Sequence, residues 1–247
     1  MTADPTVAPS PTNDAGNDAS PEAGSSVRES SFSYRAELKR KALHILALVV
    51  PLGMGWLGTE LALMLLLPAT LLAVGADVLR AYSTTFSRWI QVIFGPLMRA
   101  EELPPIGTGI VLNGATCVLI GATLLTILFP VRLAAPLFAM VMVADAAAAL
   151  VGRRFGRHAW PGSSHTVEGT LAFLFVGAAV VALVPALSAS WTAFSVALLG
   201  VVAAAIVEAA PLPLNDNIRV PLVSTGVVCL AHSWLLNQPV EWGVFTG

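Results

Sequence analysis

Asp145 sits in an apolar run, Val143-Ala144-Asp145-Ala146-Ala147-Ala148-Ala149-Leu150. The run reads as part of a membrane helix, with Asp145 about six residues, or roughly 9 Å, inside it. Placing a carboxylate there costs on the order of 2.5–3.5 kcal/mol, so it needs either a structural ion pair or a job. Other polar residues recur at the ends of apolar runs, always on the same side. Glu37, Arg40, Lys41 and His44 open the first run, and Asp77 and Arg80 close the second. Arg99, Glu101, Glu102 and Asn113 surround the start of the third. Gly152, Arg153, Arg154, Gly156 and Arg157 follow Asp145, and then come His165, Thr166, Glu168 and Gly169. Glu208, Asn215, Asp216 and Asn217 complete the set.

Acids, bases and amides meeting at one face suit a phosphate-bearing ligand together with magnesium. Arginine and lysine neutralise phosphate oxygens, while carboxylates and amides hold the metal. Asp145, Asp216 and Glu168 are the candidate metal ligands. Gly152 to Gly156 is a glycine-spaced basic loop whose backbone amides could cradle phosphate. Plainer readings exist for each piece. Gly152 and Gly156 could end a helix, Ser164 or Thr166 could cap one, and Asn215 to Asn217 could form a turn. Arg40 and Lys41 could serve only to orient the chain in the membrane.

The elements that must carry these residues are helices in a bilayer. Of the 247 residues, 56% are hydrophobic and only 11% charged, against roughly 25% charged in soluble domains. The net charge of −2 excludes a nucleic-acid binder, which needs a strongly basic face. Cys117 and Cys229 lie in apolar runs and are too few for a disulfide framework or a zinc site. Residues 1–34, rich in Ser, Pro, Ala, Thr and Asp, are expected to be a disordered polar tail, because they cannot bury enough apolar surface to offset ordering. From residue 35 to 247 the chain reads as one all-α, multi-pass membrane domain.

Seven spans are expected, near 42–59, 60–79, 107–129, 132–152, 169–188, 191–210 and 219–236, since about 20 apolar residues cross the hydrocarbon. The joint at Gly58–Glu60 is tight, so the first pair reads as a hairpin. Segment 86–99 is too short to span and suits the membrane surface. Arg35, Lys39, Arg40, Lys41, Arg80, Arg88, Arg99, Arg153, Arg154, Arg157 and Arg219 then share one side, against Arg132 on the other. That bias places the N-terminus and the polar face in the cytoplasm, with a bacterial plasma membrane the expected location, or an endoplasmic-reticulum or plastid membrane in a eukaryote.

Glu37-Leu-Lys-Arg40-Lys41-Ala-Leu-His44, Asp145 through Gly152-Arg-Arg-Phe-Gly156, Thr166-Val-Glu168-Gly169, and Glu208 through Asn215-Asp216-Asn217-Ile-Arg-Val-Pro221 stand in this order. Together with Arg99-Ala-Glu101-Glu102 to Gly107-Thr108-Gly109 and Asn113-Gly114, they resemble the polyprenol kinase family. That family includes dolichol, phytol and farnesol kinases and the CTP-dependent diacylglycerol kinase. The resemblance implies transfer of the γ-phosphoryl group of a nucleotide, typically CTP, to a membrane lipid alcohol. It also implies activity resting on Arg40, Lys41, Asp145 and Gly152, with Arg153, Gly156, His165, Thr166, Glu168, Gly169, Asn215 and Asn217 around the nucleotide and Mg2+. Two departures stand out. Ala144 precedes Asp145 where the family usually has Gly, and His165 stands where it usually has Lys, exchanging a permanent charge for one present only part of the time.

A phosphatidate cytidylyltransferase is the second reading, although its usual Ser-x-x-Lys-Arg to Asp-Arg-x-Asp motif is not found in the chain. A transporter or a non-enzymatic membrane protein is the third. Transporters tend to show internal repeats and ionisable groups at the midplane, and the halves of this chain show no repeat.

Overall fold

The computed structural model describes residues 45–94 and 109–236. Eight helices are described: α1 (Val49–Tyr82), α2 (Thr84–Phe94), α3 (Gly114–Leu128), α4 (Val131–Phe155), α5 (Val167–Leu183), the short α6 (Pro185–Ser188), α7 (Trp191–Ala209) and α8 (Asp216–Leu236). Among the described residues the only β pairing is one isolated bridge, Ala159 with Thr166. Helices satisfy every backbone group within the segment, which a bilayer demands.

Four helices, α1, α4, α7 and α8, are long and apolar enough to cross a membrane. At 15 and 17 residues, α3 and α5 are shorter apolar helices. Large apolar side chains point outward along the bundle, such as Trp56, 87% exposed, and Trp234, 89% exposed. In water such a surface would aggregate; in lipid it is solvated. The chain is an α-helical membrane protein.

The expected joint near Gly58 is present as a break inside α1, where Gly58 takes φ 74° and ψ −179°. That backbone state is open essentially to glycine alone. The expected first span, 42–59, begins outside the described residues, and the helix ahead of the break starts only at Val49. The helical run 59–82 is about 36 Å long at 1.5 Å per residue, enough to span. The start of the expected surface segment appears as α2, capped by Ser83, whose Oγ accepts from the Phe86 amide. Its Trp89, Val92 and Ile93 are exposed.

Two apolar cores share α4. Leu137, Met140, Phe173, Val201 and Val228 join α4, α5, α7 and α8. Met54, Leu66, Leu125, Phe138 and Cys229 join α1, α3, α4 and α8. The spanning window of α4 is 56% buried, against 17% for α1, so α4 is the central helix and Asp145 rides on it. Close contacts at glycine tighten the bundle, as is usual where lipid supplies no hydrophobic drive between helices. The Asn217 carbonyl at the start of α8 lies against Gly121 of α3, where a Cβ would collide with it.

Candidate functional site

Helix after helix reverses direction, which brings six polar ends together: the ends of α1, α4 and α7 and the starts of α3, α5 and α8. Contacts tie them in two groups, α1 with α3, and α4 and α5 with α7 and α8.

The first tie joins α1 to α3. Asp77 accepts from the Asn113 backbone N–H at 2.9 Å and from Asn113 Nδ2 at 2.9 Å. Arg80 Nη2 lies 3.4 Å from Asp77 and donates to the Val111 carbonyl at 2.8 Å. Asn113 in turn caps α3, its Oδ1 accepting from the Thr116 amide. Both Asp77 and Arg80 are buried, so this ion pair is structural.

The second tie joins α4 to α5. Asp145 and Gly152 are seven residues apart, two helical turns, and so share a face of α4. A Cβ at Gly152 would sit 2.9 Å from Thr166 Oγ1, and one at Gly169 would sit 2.9 Å from the Ala148 carbonyl. Thr166 caps α5 by accepting from the Gly169 amide at 3.1 Å. Gly152 lies within the helix, and the Gly156 amide donates to the Gly152 carbonyl at 2.9 Å. Helical bonding thus occupies the Gly156 amide that the sequence offered to phosphate. Gly152, Gly156 and Gly169 act here as close-packing positions around Thr166.

The loop between α4 and α5 is held by its own backbone. The Val167 amide donates to the His158 carbonyl and the Trp160 amide to the His165 carbonyl. The His165 amide donates to Ser163 Oγ at 3.2 Å, and Gly162 supplies the turn at φ 72°. Glu168, in the first turn of α5, pairs with His158 Nδ1 at 2.7 Å. Arg153, Arg154 and Arg157 are exposed around this loop.

The third tie joins the loop to α7 and α8. His165 Nδ1 lies 2.7 Å from Glu208 Oε1 at the end of α7. The approach is an ion-pair contact rather than an in-line hydrogen bond, and Glu208 Oε2 is buried without a hydrogen-bond partner among the described residues. The Glu208 contact raises the pKa of His165 above the usual 6.5 against the opposing effect of burial, and the charges of Glu208, Asp216 and Asp145 add to it. Glu208 touches the imidazole, and the charges of Asp216 and Asp145 reach it. On α8, Asp216 accepts from Arg219 Nε at 2.8 Å, and Arg219 Nη2 donates to the Ala210 carbonyl at 3.0 Å. Asn215 caps the helix, its Oδ1 accepting from the Asn217 amide.

The sequence-derived set thus falls into three groups. His165 pairs with Glu208, and the charges of Asp145 and Asp216 act on it. Gly152, Gly156, Thr166 and Gly169 form the adjoining packed joint, while Glu168 faces His158 and Asn215 and Asn217 shape the start of α8. Arg40 and Lys41 lie outside the described residues, as do Glu37, His44, Arg99, Glu101 and Glu102. Glu208 was visible in sequence as a polar residue near the face, but its pairing with His165, 43 positions away, was not. The Asp216–Arg219 pair had a local signal, the i,i+3 spacing on a helix.

Among the described residues, no group of three or more His, Cys, Asp and Glu side chains is arranged to hold a metal ion. Of the expected ligands, Glu168 already faces His158 and Asp216 faces Arg219. The described residues do not build a metal cage by themselves.

No protein-family model matches the chain, and no solved structure matches it significantly. It is similar to the "Uncharacterized protein RP860" of Rickettsia prowazekii (strain Madrid E), 28% identical over 189 residues that cover 75% of this chain and 90% of that protein.

Proposed function

We propose that this chain is a membrane-embedded lipid kinase of the polyprenol kinase type, transferring the γ-phosphoryl group of CTP to a lipid alcohol such as a polyprenol, phytol or diacylglycerol. The observation that carries the reading is the contact of His165 with Glu208, under the charges of Asp216 and Asp145, at one polar end of an otherwise apolar bundle. The ordered sequence blocks supply the family.

In this reading the seven-span arrangement puts the polar end in the cytoplasm, where the nucleotide is. Arg40, Lys41, Arg153 and His165 hold its phosphates. A magnesium ion on the nucleotide would be held by its phosphates together with Asp145 or Asp216 and would supply charge neutralisation, since such ions usually combine substrate phosphates with one or two carboxylates rather than an all-protein cage. The lipid alcohol arrives sideways from the bilayer. Asp145 orients its hydroxyl and takes its proton as the oxygen bonds to the γ-phosphorus. The bond from that phosphorus to the β,γ-bridging oxygen breaks, and CDP leaves. Catalysis is then positioning and charge neutralisation.

The test uses membranes containing the protein, magnesium, a panel of lipid alcohols and phosphatidate, with CTP labelled at the α or the γ phosphorus. Label entering lipid from the γ position alone supports the kinase. Label entering from the α position, with phosphatidate required, means a cytidylyltransferase. Transfer from neither position, with CTP or with ATP, overturns the reading.

A further inference from the structure

We infer that Glu208 is a positioning residue that holds His165 as a standing cation, so that the pair supplies one fixed positive charge for an anionic phosphate group at the polar end of the bundle. The inference deepens the proposed kinase site, and it depends on that reading only for which phosphate compound binds.

The geometry of both partners favours it. Glu208 is 5% exposed, with one oxygen 2.7 Å from His165 Nδ1 and the other buried without a hydrogen-bond partner among the described residues. A buried carboxylate in that state is costly unless a cation meets it. His165 is fixed in turn through its backbone, the amide on Ser163 Oγ and the carbonyl on the Trp160 amide. With Nδ1 turned to Glu208, Nε2 is the nitrogen left to meet a ligand. The positive start of α5, next to His165, opposes a cation there, but such dipole effects are worth only about 0.3–1 kcal/mol.

The surrounding charges make this one proton matter. From α4 come Asp145, Arg153 and Arg154, from the loop Arg157, and from α5 Glu168 facing His158. Glu208 belongs to α7, and Asp216 and Arg219 belong to α8. Four acids and four arginines cancel in that formal count, which leaves the charge on His165 to decide its sign. Burial works against its protonation, while Glu208, Asp216 and Asp145 favour it. A lysine would carry its charge unaided; a histidine in this place needs Glu208.

The experiment uses the full chain reconstituted in lipid nanodiscs, with 15N-labelled histidine and inorganic tripolyphosphate as the probe. His165 is assigned with His165→Gln, and its titration is followed by NMR. The expected midpoint lies above the ordinary value near 6.5 and falls by about one pH unit or more in Glu208→Gln, as removal of a close opposite charge requires. Tripolyphosphate binding should weaken with rising pH along that midpoint, weaken at lower pH in Glu208→Gln, and lose this step in His165→Lys. Glu208→Asp, which keeps the charge, should retain most of the raised midpoint.

A midpoint that does not move in Glu208→Gln overturns the inference. So does tripolyphosphate binding that is identical in wild type, Glu208→Gln and His165→Gln at every pH; γ-labelling of lipid in that protein would still leave the kinase reading standing. Conversely, binding that tracks His165 without any CTP turnover upholds the inference and removes the kinase reading.

Discussion

Asn113 places both its backbone N–H and its side-chain amide on the Asp77 carboxylate, each at 2.9 Å, while its own Oδ1 caps α3. One residue thus anchors the start of α3 to the end of α1, and Arg80 adds a bond to the Val111 carbonyl just before it. Asp77→Ala leaves the buried Arg80 without its carboxylate, a loss of roughly 3–5 kcal/mol. Asn113→Ala removes the cap, and the cap alone is worth about 1 kcal/mol. Thermal unfolding in detergent should rank Asp77→Ala as the more damaging. Equal, small effects would mean that the tie contributes little.

Asp145→Ala and Arg40→Ala should each lower γ-phosphoryl transfer by at least about 100-fold, the scale on which loss of a transition-state contact is felt. Membrane insertion and expression should be unchanged. Normal turnover in both variants would remove the proposed site assignment.

Gly152→Ala separates packing from ligand binding. The added Cβ would lie 2.9 Å from Thr166 Oγ1, and overpacking of this kind costs about 1–3 kcal/mol. The melting temperature should therefore fall even with no nucleotide present. A variant as stable as wild type but defective in nucleotide binding would instead return Gly152 to the ligand. Thr166→Ala, which removes the α5 cap, should cost about 1 kcal/mol by the same measurement.

The His165–Glu208 pair fixes the sign of one pH effect on stability. Because the folded pKa of His165 is raised, the folded state binds the proton more tightly than the unfolded chain does. The stabilisation is fully present below the unfolded value, near 6.5. It is lost as pH rises through the folded value. The difference in melting temperature between wild type and Glu208→Gln should be large at pH 6 and shrink toward pH 9. A difference that grows with pH would contradict the pairing.

Composition marked this chain as a membrane protein, because 11% charge cannot cover a soluble surface, and the length of its apolar runs marked it as helical. Hydropathy also located α4, α7 and α8 to within a few residues, since each apolar run is bounded by polar residues that cannot enter lipid. The glycine at 58 was legible as a joint for the same local reason. What the sequence left open were relations between distant positions. Gly152 offered an amide to phosphate or the end of a helix, and the close approach of Thr166, which makes it a packing position, was not legible. His165 read as a weakened substitute for a lysine until Glu208 was brought beside it. Periodicity and burial preference act along the chain and survive in one dimension. Charge pairing and close approach depend on which helix ends are neighbours, and tertiary packing alone sets that.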